Sequence, residues 1–382
     1  MRTVSGLDVH KDSIFMCILD EQGKKTEEKF GVTTREIKRM GLVMRSLYVS
    51  DVCMESTSVY WMPVWRLLEH DFQLHLVNPL FLKQLPGRKS DVRDAEWIAT
   101  VLLKDLVKDS FVPDGNIQHL RQYGRRINEL DRDIVRSEQR VDMILQRCNI
   151  RLSNQVSRTK NKSYRKVVDA LIKGETSADA LVKLIHGRTV NRHGKSLVHD
   201  SLEGCVAQSD RDLLKQYTQM TDMYETQKQQ CIEAMVEMCQ ELYNDAFLFL
   251  LSIPGVKRLS AAIIISEIGD NMELFATAAA LVSWAGLRPR NDESAGKIKS
   301  RQITHGNKYL RKALVECAWG AARTKDSVFY CRFWHLKGMK KHHNAVIVAI
   351  ARQMLTIVWT LLSRKEYFDK SYQLTKKASL ER

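Results

Sequence analysis

An α/β domain followed by a mostly helical remainder is the fold class that the sequence predicts, and three observations predict it. Residues 1 to about 110 alternate short apolar strands with helices. Apolar residues then recur at helical spacing through two long, densely charged stretches, 116–152 and 213–242. After Phe247, apolar helices are separated by a Pro-Gly turn.

Along the chain, strands are expected near 3–9, 13–19, 50–55 and 73–77, and helices near 34–48, 59–70 and 91–107. Asp8 lies at the end of the first strand, in Gly6-Leu7-Asp8-Val9-His10-Lys11-Asp12, and Glu55 ends Val52-Cys53-Met54-Glu55. Asp91 and Asp94 open the helix that runs through Ile98, Leu102 and Leu103, and a spacing of three puts both carboxylates on one face. The repeat Leu120, Ile127, Leu130, Ile134, Val141, Ile144, Leu145, echoed in 213–242, predicts an antiparallel coiled coil, and its stripes also suggest an oligomer. Between the two helices, residues 153–205 carry a basic run that includes Lys160, Lys162, Arg165 and Lys166, and a second run from His186 to Lys195. This segment is either a solvated loop or a nucleic-acid arm.

Leu250 to Val256 followed by Ser260 to Ile264 resembles a helix-hairpin-helix, whose turn at Gly255 offers backbone N–H groups to a phosphate. An apolar helix over Phe275–Leu287, a polar loop from Arg288 to Lys297, a basic stretch from Lys299 to Arg311 and a helix around 314–322 follow. Arg352 and Gln353 interrupt the apolar run Ala345–Leu362, which predicts a packed helix and no membrane span. The expected organisation is three domains: 1–112, then 113–246 with the basic insertion at about 153–205, then 247–382.

The charge balance narrows the partners. Sixty Lys+Arg against 45 Asp+Glu give +15, and cations placed on phosphates release counterions, so nucleic acid is the expected partner. Eight cysteines without a C-x-x-C pair fit thiols in a reducing cytoplasm, and Met1-Arg2-Thr3-Val4 leads into a strand with no secretory signal. Cys331, His335, His342 and His343 have some zinc-ligand character but lack a second cysteine. Neither a P-loop nor a G-x-G-x-x-G offers a nucleotide site.

Two sets of residues could carry chemistry. Carboxylates at adjacent strand ends and a helix start, on an RNase H-like sheet, can hold two Mg²⁺ over a phosphodiester and stabilise its attacking and leaving oxygens. Acids at strand ends are also ordinary in α/β domains. Ser294 reads equally as a turn residue or as a nucleophile, and the second reading draws on Arg288, Arg290, Lys297, Lys299 and Arg301, which could bind a scissile phosphate.

The order Gly-Leu-Asp-Val-His-Lys, Met54-Glu55-Ser56-Thr57 with Tyr60 and Pro63, Val77-Asn78-Pro79 and Lys89-Ser90-Asp91-Val92-Arg93-Asp94-Ala95 resembles the N-terminal DEDD, RuvC-like domain of a bacterial insertion-sequence transposase family. The other end resembles that family's transposase domain, in Ile253-Pro254-Gly255-Val256, Trp284 to Pro289, Glu293-Ser294 and Gly306 to Arg311. These are the bridge-RNA-guided recombinases. The resemblance implies that Asp8, Glu55, Asp91 and Asp94 bind Mg²⁺ or Mn²⁺ and that Ser294 is the nucleophile. It also implies a homo-tetramer with sites composed from different protomers, and a structured noncoding guide RNA that pairs with donor and target DNA. The chain departs from the family in Ala295, where glycine is frequent, and in a longer 153–205 segment.

The function expected is RNA-guided DNA recombination through a 5′-phosphoserine intermediate in the bacterial cytoplasm, with base pairing supplying sequence specificity. The rivals are a metal-dependent nuclease of the Holliday-junction-resolvase type and a non-enzymatic DNA-bridging protein. Joined strands, cut strands or neither would separate the three.

Overall fold

The computed structural model describes residues 2–84, 94–156, 161–290, 292–294, 297–300, 302–325, 327–339 and 342–369. It divides into two compact units, Met1–Val112 and Pro113–Arg382.

In the first unit, β1 (Thr3–Val9), β2 (Ile14–Asp20) and β3 (Lys25–Phe30) form an antiparallel meander. The chain returns through α1 (Thr34–Ser46) to β4 (Asp51–Glu55), parallel to β1, and through α2 (Trp61–Leu68) to β5 (Gln73–Val77). The order β3-β2-β1-β4-β5, with β2 alone running against the rest, is the RNase H/RuvC-like arrangement expected. β3 was not expected, because Lys25-Thr26-Glu27-Glu28-Lys29-Phe30 is a mostly exposed edge strand with little apolar periodicity. After α3 (Pro79–Gln84), α4 (Asp94–Leu103) covers one face of the sheet and α1 and α2 cover the other. The helix predicted from 91 is thus described from Asp94, and Asp91 lies outside the described residues.

Alternation along the strands decides which side chains meet α4. Val4 of β1 and Cys53 of β4 join Ala95, Ile98, Ala99 and Leu102 in one core, whereas Leu7, Val9, Val52 and Met54 face the α1/α2 side. Gly6 allows the closest approach. A Cβ there would lie 2.2 Å from the Ala95 carbonyl oxygen and 2.4 Å from the Ala99 nitrogen, so the backbone of α4 rests directly on β1.

In the second unit, α5 (Gly115–Arg147) starts at an Asp114 cap that accepts from the Ile117 N–H at 3.0 Å. Between it and its antiparallel partner lie α6 (Leu152–Gln155), α7 (Lys162–Ile172), α8 (Ala178–Val182), α9 (Gly187–His193) and α10 (Lys195–Asp200). The partner, α11 (Gln208–Leu242), pairs Leu214 with the far end of α5 and Met235 with its start. The described residues of the segment 153–205 form neither a solvated loop nor an extended arm. Leu152, Tyr164, Val167, Leu171, Leu181 and Val198 build a core of their own around the ends of α5 and α11. The apolar stripes of the two long helices are therefore covered within one chain, and they do not by themselves require an oligomer.

The rest of this unit is α12 (Asn244–Leu251), α13 (Arg258–Ile268), a 3₁₀ turn at Met272–Leu274, α14 (Ala278–Trp284), a hairpin of β6 (Asp292–Ser294) and β7 (Lys297–Ser300), α15 (Lys308–Ala321), α16 (Val328–Gly338) and α17 (His343–Arg364). The helix expected over 275–287 is shorter, since Thr277 caps its start and Gly286, at φ +71°, lies just past its end. The helix expected around 314–322 begins at Lys308, because Asn307 caps it. By length and composition α17 could cross a membrane. It packs instead as a core helix, with Val346, Ile350, Met354, Leu355 and Val358 buried and Trp359 Nε1 donating to the Phe275 carbonyl at 3.0 Å. All eight cysteines are free thiols.

Candidate active site

β1 and β4 run parallel, with Leu7 beside Met54. Asp8 and Glu55 follow in the same register, and alternation sends both to the sheet face that α4 covers. Because Gly6 seats α4 on β1, the first residue of that helix, Asp94, comes to the same end of the same face. The helix start also presents the positive end of its dipole there. Asp8 is 19% exposed, and burial raises its carboxyl above the usual range. The His10 ring opposes that rise, with Nε2 3.0 Å from Asp8 Oδ2, while the charges of Asp94 and Glu55 add to it. The Thr57 hydroxyl donates to Glu55 Oε1.

Three of the four acids named from the sequence therefore lie at one end of one sheet face and influence one another electrostatically. Among the described residues no three His, Cys, Asp or Glu side chains stand close enough to hold a metal ion, and this also removes the zinc character read in Cys331, His335, His342 and His343. The donor set is still the hard carboxylate oxygen that Mg²⁺ and Mn²⁺ take, and its mutual repulsion is what a divalent cation relieves. His10 and Thr57 belong to the motifs around Asp8 and Glu55, but the sequence assigns neither a role at the site. His10 stood two residues from Asp8, but only the turn after β1 shows that it folds back.

Ser294 stands at the end of β6, paired with Lys297 of β7, so the expected polar loop is a hairpin. The ladder continues beyond the hairpin. Arg290 N–H donates to the Gln302 carbonyl and Thr304 N–H to the Arg288 carbonyl, both at 2.9 Å, with Pro289 bridged to Ile303. Arg288 and Arg290 are exposed. The two strands start from a close crossing, a neck, where glycine is required on both sides, since a Cβ on Gly306 would lie 2.2 Å from the Gly286 nitrogen.

A buried charge network anchors this neck. Asn307 Oδ1 accepts from the Tyr309 and Leu310 N–H groups, both at 3.0 Å, and its Nδ2 donates to Glu267 Oε2 at 2.7 Å. Glu267 is 1% exposed and pairs with Arg125, whose guanidinium also lies over the Tyr309 ring. Arg121 donates to the Ser266 and Glu267 carbonyls at 2.9 and 2.7 Å, closing the end of α13. A buried carboxylate needs such partners, yet nothing in the apolar run Ile263–Ile268 announced them.

The other basic residues separate by environment. Lys162 and Lys166 are exposed on α7, whereas Arg165 is engaged with Asp222 and Glu225 of α11. Lys297 and Lys299 belong to β7, and Lys160 and Arg301 lie outside the described residues. Gly255, at φ +90°, has a packing reason to be glycine. Its missing Cβ would meet the Cys317 carbonyl of α15 at 2.5 Å, and the Val256 N–H of the same turn is already bonded to the Ile253 carbonyl.

Comparison with known proteins follows the same division of the chain. A DEDD transposase model of IS110 type, described as "Transposase", matches residues 5–150, and the model described as "Transposase IS116/IS110/IS902 family" matches residues 248–331. The chain is 25% identical over 343 residues to a probable family 20 transposase of Pseudomonas aeruginosa, covering 87% of this chain and 90% of that protein. It is 25% identical over 382 residues to the transposase for insertion sequence element IS1111A of Coxiella burnetii, covering 96% and 91%. A pilin gene-inverting protein of Moraxella bovis is 30% identical over 147 residues, 38% of this chain and 45% of that protein. A T. thermophilus RuvC chain, solved with a Holliday junction substrate, matches 29% of this chain and 100% of its own at 13% identity with a TM-score of 0.22. With one model at each end of the chain and relatives aligned over nearly its full length, this protein belongs to the IS110/IS116/IS902 family of insertion-sequence transposases, with a DEDD domain first and the transposase domain after it.

Proposed function

We propose that this transposase is an RNA-guided recombinase that cuts and rejoins DNA through a 5′-phosphoserine intermediate, with Mg²⁺ or Mn²⁺ held by Asp8, Glu55, Asp91 and Asp94. The observation that carries the reading is the shared register of β1 and β4, which sets Asp8 beside Glu55 under the start of α4. When bound there, a divalent cation neutralises charge on the phosphodiester as it is displaced.

The chain's own residues do the rest. Asp8, Glu55, Asp91 and Asp94 would hold the cation, which would supply charge neutralisation at the phosphate. Ser294 Oγ gives up its proton and forms a bond to phosphorus as the bond to the 3′-oxygen breaks, leaving a free 3′-hydroxyl and a serine-linked 5′-phosphate. The incoming 3′-hydroxyl of another strand reverses the step, so the phosphodiester energy is retained without an external source. Arg288, Arg290, Lys297, Lys299 and Arg301 hold the phosphate and its developing charge. Lys160, Lys162 and Lys166 contribute to holding the structured guide RNA, whose pairing with donor and target DNA supplies sequence specificity. Residues 1–112, 113–246 and 247–382 then divide into a metal domain, an RNA-holding stalk and a serine domain of a homo-tetramer.

Denaturing the protein after incubation with its copurifying RNA and end-labelled DNA should leave label on the protein band, and Ser294→Ala should lose it together with cleavage and joining. Cleavage that persists in Ser294→Ala would favour the resolvase-like nuclease. Asp8→Asn should bind Mg²⁺ more weakly than wild type in calorimetry; an unchanged affinity would overturn the metal assignment.

A further inference from the structure

A row of aromatic rings with a cation at each end runs across α15 and α16. Arg323 lies 5.6 Å over the Trp319 ring, Trp319 stands 6.4 Å from Phe333, Phe333 meets Trp334 at 5.4 Å, and Lys337 Nζ lies 5.0 Å over the Trp334 ring. Phe333 is buried in the core of the second unit, which fixes the row in place. Trp334 is 49% exposed. Its neighbours Phe333 and Tyr330 cross it at 87° and 65°, so among the described residues no ring lies parallel to the indole. The charge around the row is of one sign. From Cys317 to Lys365 nine Lys and Arg stand against a single acid, Asp326, and Arg323, Arg332 and Lys337 have no ion-pair partner among the described residues.

We propose that this row is a stacking platform for unpaired nucleotides, with a base on the Trp334 indole and phosphates on Lys337, Arg332 and Arg323. Every base has a π-face that an open indole accepts whatever its sequence, and cations beside the ring take the phosphates that follow it. In a duplex the bases are already stacked on one another, so the platform selects unpaired strand, DNA or RNA alike. Lysine is depleted in the cores of protein interfaces, which argues against a second copy of the chain as the occupant. Arg332 also stands beside Pro289 and Ile303, so the platform adjoins the base of the hairpin that carries Ser294. No residue of α16 enters the proposed function, and the inference needs only that this transposase meets nucleic acid.

The test uses the full-length protein and fluorescence anisotropy with labelled oligothymidine, oligouridine, an abasic deoxyribose-phosphate oligomer of equal length and a matched duplex. Wild type should bind at least one of the first two about tenfold more tightly than the abasic oligomer, the gain expected of one stacked base, and the tighter of them identifies DNA or RNA as the occupant. Trp334→Leu, which keeps an apolar side chain without a ring, should lose that gain, and Trp334→Phe should keep most of it. Duplex binding and helical circular dichroism should be unchanged in both variants. Lys337→Gln should lower the salt slope for the single strand by about 0.7, the share of one phosphate. Equal binding of the abasic oligomer by wild type would mean that phosphates alone are held, and the proposal would fall. It would also fall if Trp334→Leu kept the gain; a changed light-scattering mass in that variant would then mark the row as an interface between copies of the chain. Ser294→Ala should keep the base preference whatever becomes of its covalent adduct, so this inference and the proposed function fail separately.

Discussion

Replacing Gly6 by alanine adds a single methyl group to β1 two residues before Asp8. Its Cβ would lie 2.2 Å from the Ala95 carbonyl oxygen and 2.4 Å from the Ala99 nitrogen, whereas ordinary contact begins at 3.4 Å. Both obstacles are backbone atoms and cannot rotate away, so α4 must retreat by about 1 Å. Overpacking of this kind costs about 1–3 kcal/mol, and each kcal/mol lowers Tm by about 4–8 °C in a unit of this size. The functional loss should be larger than the stability loss. Asp94 moves with α4 away from Asp8 and Glu55, and misplacing a reacting group by about 1 Å can cost on the order of 100-fold in rate. Circular dichroism melts and Mg²⁺-dependent cleavage of end-labelled DNA, assayed well below the melting range, read the two effects separately. Gly115→Ala is the control, since nothing lies within 4 Å of the Cβ it would gain. Wild-type melting and cleavage in Gly6→Ala would refute both the packing argument and the role given to the α4 start.

In the second unit, Glu267→Ala should cost about 3–5 kcal/mol in urea unfolding, because it leaves Arg125 and Arg121 facing a buried vacancy, and a loss under about 1 kcal/mol would show that water replaces the carboxylate there. Asp131 is pulled two ways, as burial raises its carboxyl while the stronger combined effect of Lys228 and Lys312 lowers it below the usual range. Its folded value lies under its unfolded one, so its contribution is present above about pH 4 and is lost as pH falls through the folded value. With 36% exposure that contribution is below about 1 kcal/mol. Asp131→Asn should flatten this part of the acid-side loss in Tm, and an unchanged acid slope would count against it. Lys162→Ala with Lys166→Ala should weaken binding of the copurifying RNA and reduce its salt slope by about two at most, with no change in melting, because both side chains are exposed on α7. Deleting the run outright would be a poor test, since Tyr164 belongs to the cap core.

The sequence by itself determined the class of the first domain, because strand and helix periods are written in local apolar spacing: β1, β2, β4, β5 and the long α5 and α11 were all legible. Asp8, Glu55 and Asp94 were also visible, as acids at element ends. That they share a face was not visible, because it depends on which strands neighbour each other and on the register between them. β3 was missed for a related reason: an exposed edge strand owes its existence to hydrogen bonds from β2, and no apolar pattern of its own marks it. The segment 153–205 shows the limit from the other side. Its lysines and arginines come in runs that draw attention, but Leu152, Val167, Leu171 and Val198 are spread over three short helices, and only folding collects them into a core. Ser294 was recognised by its place in a family motif; its position at the end of β6 comes from cross-strand pairing, and the base of that hairpin is fixed by Gly286, Gly306 and Asn307 on a buried Glu267. Those partners lie 20 to 40 residues apart in the chain. A one-dimensional pattern can show that a glycine or a carboxylate is present, but tertiary structure alone decides which backbone it must touch and which cation it must meet.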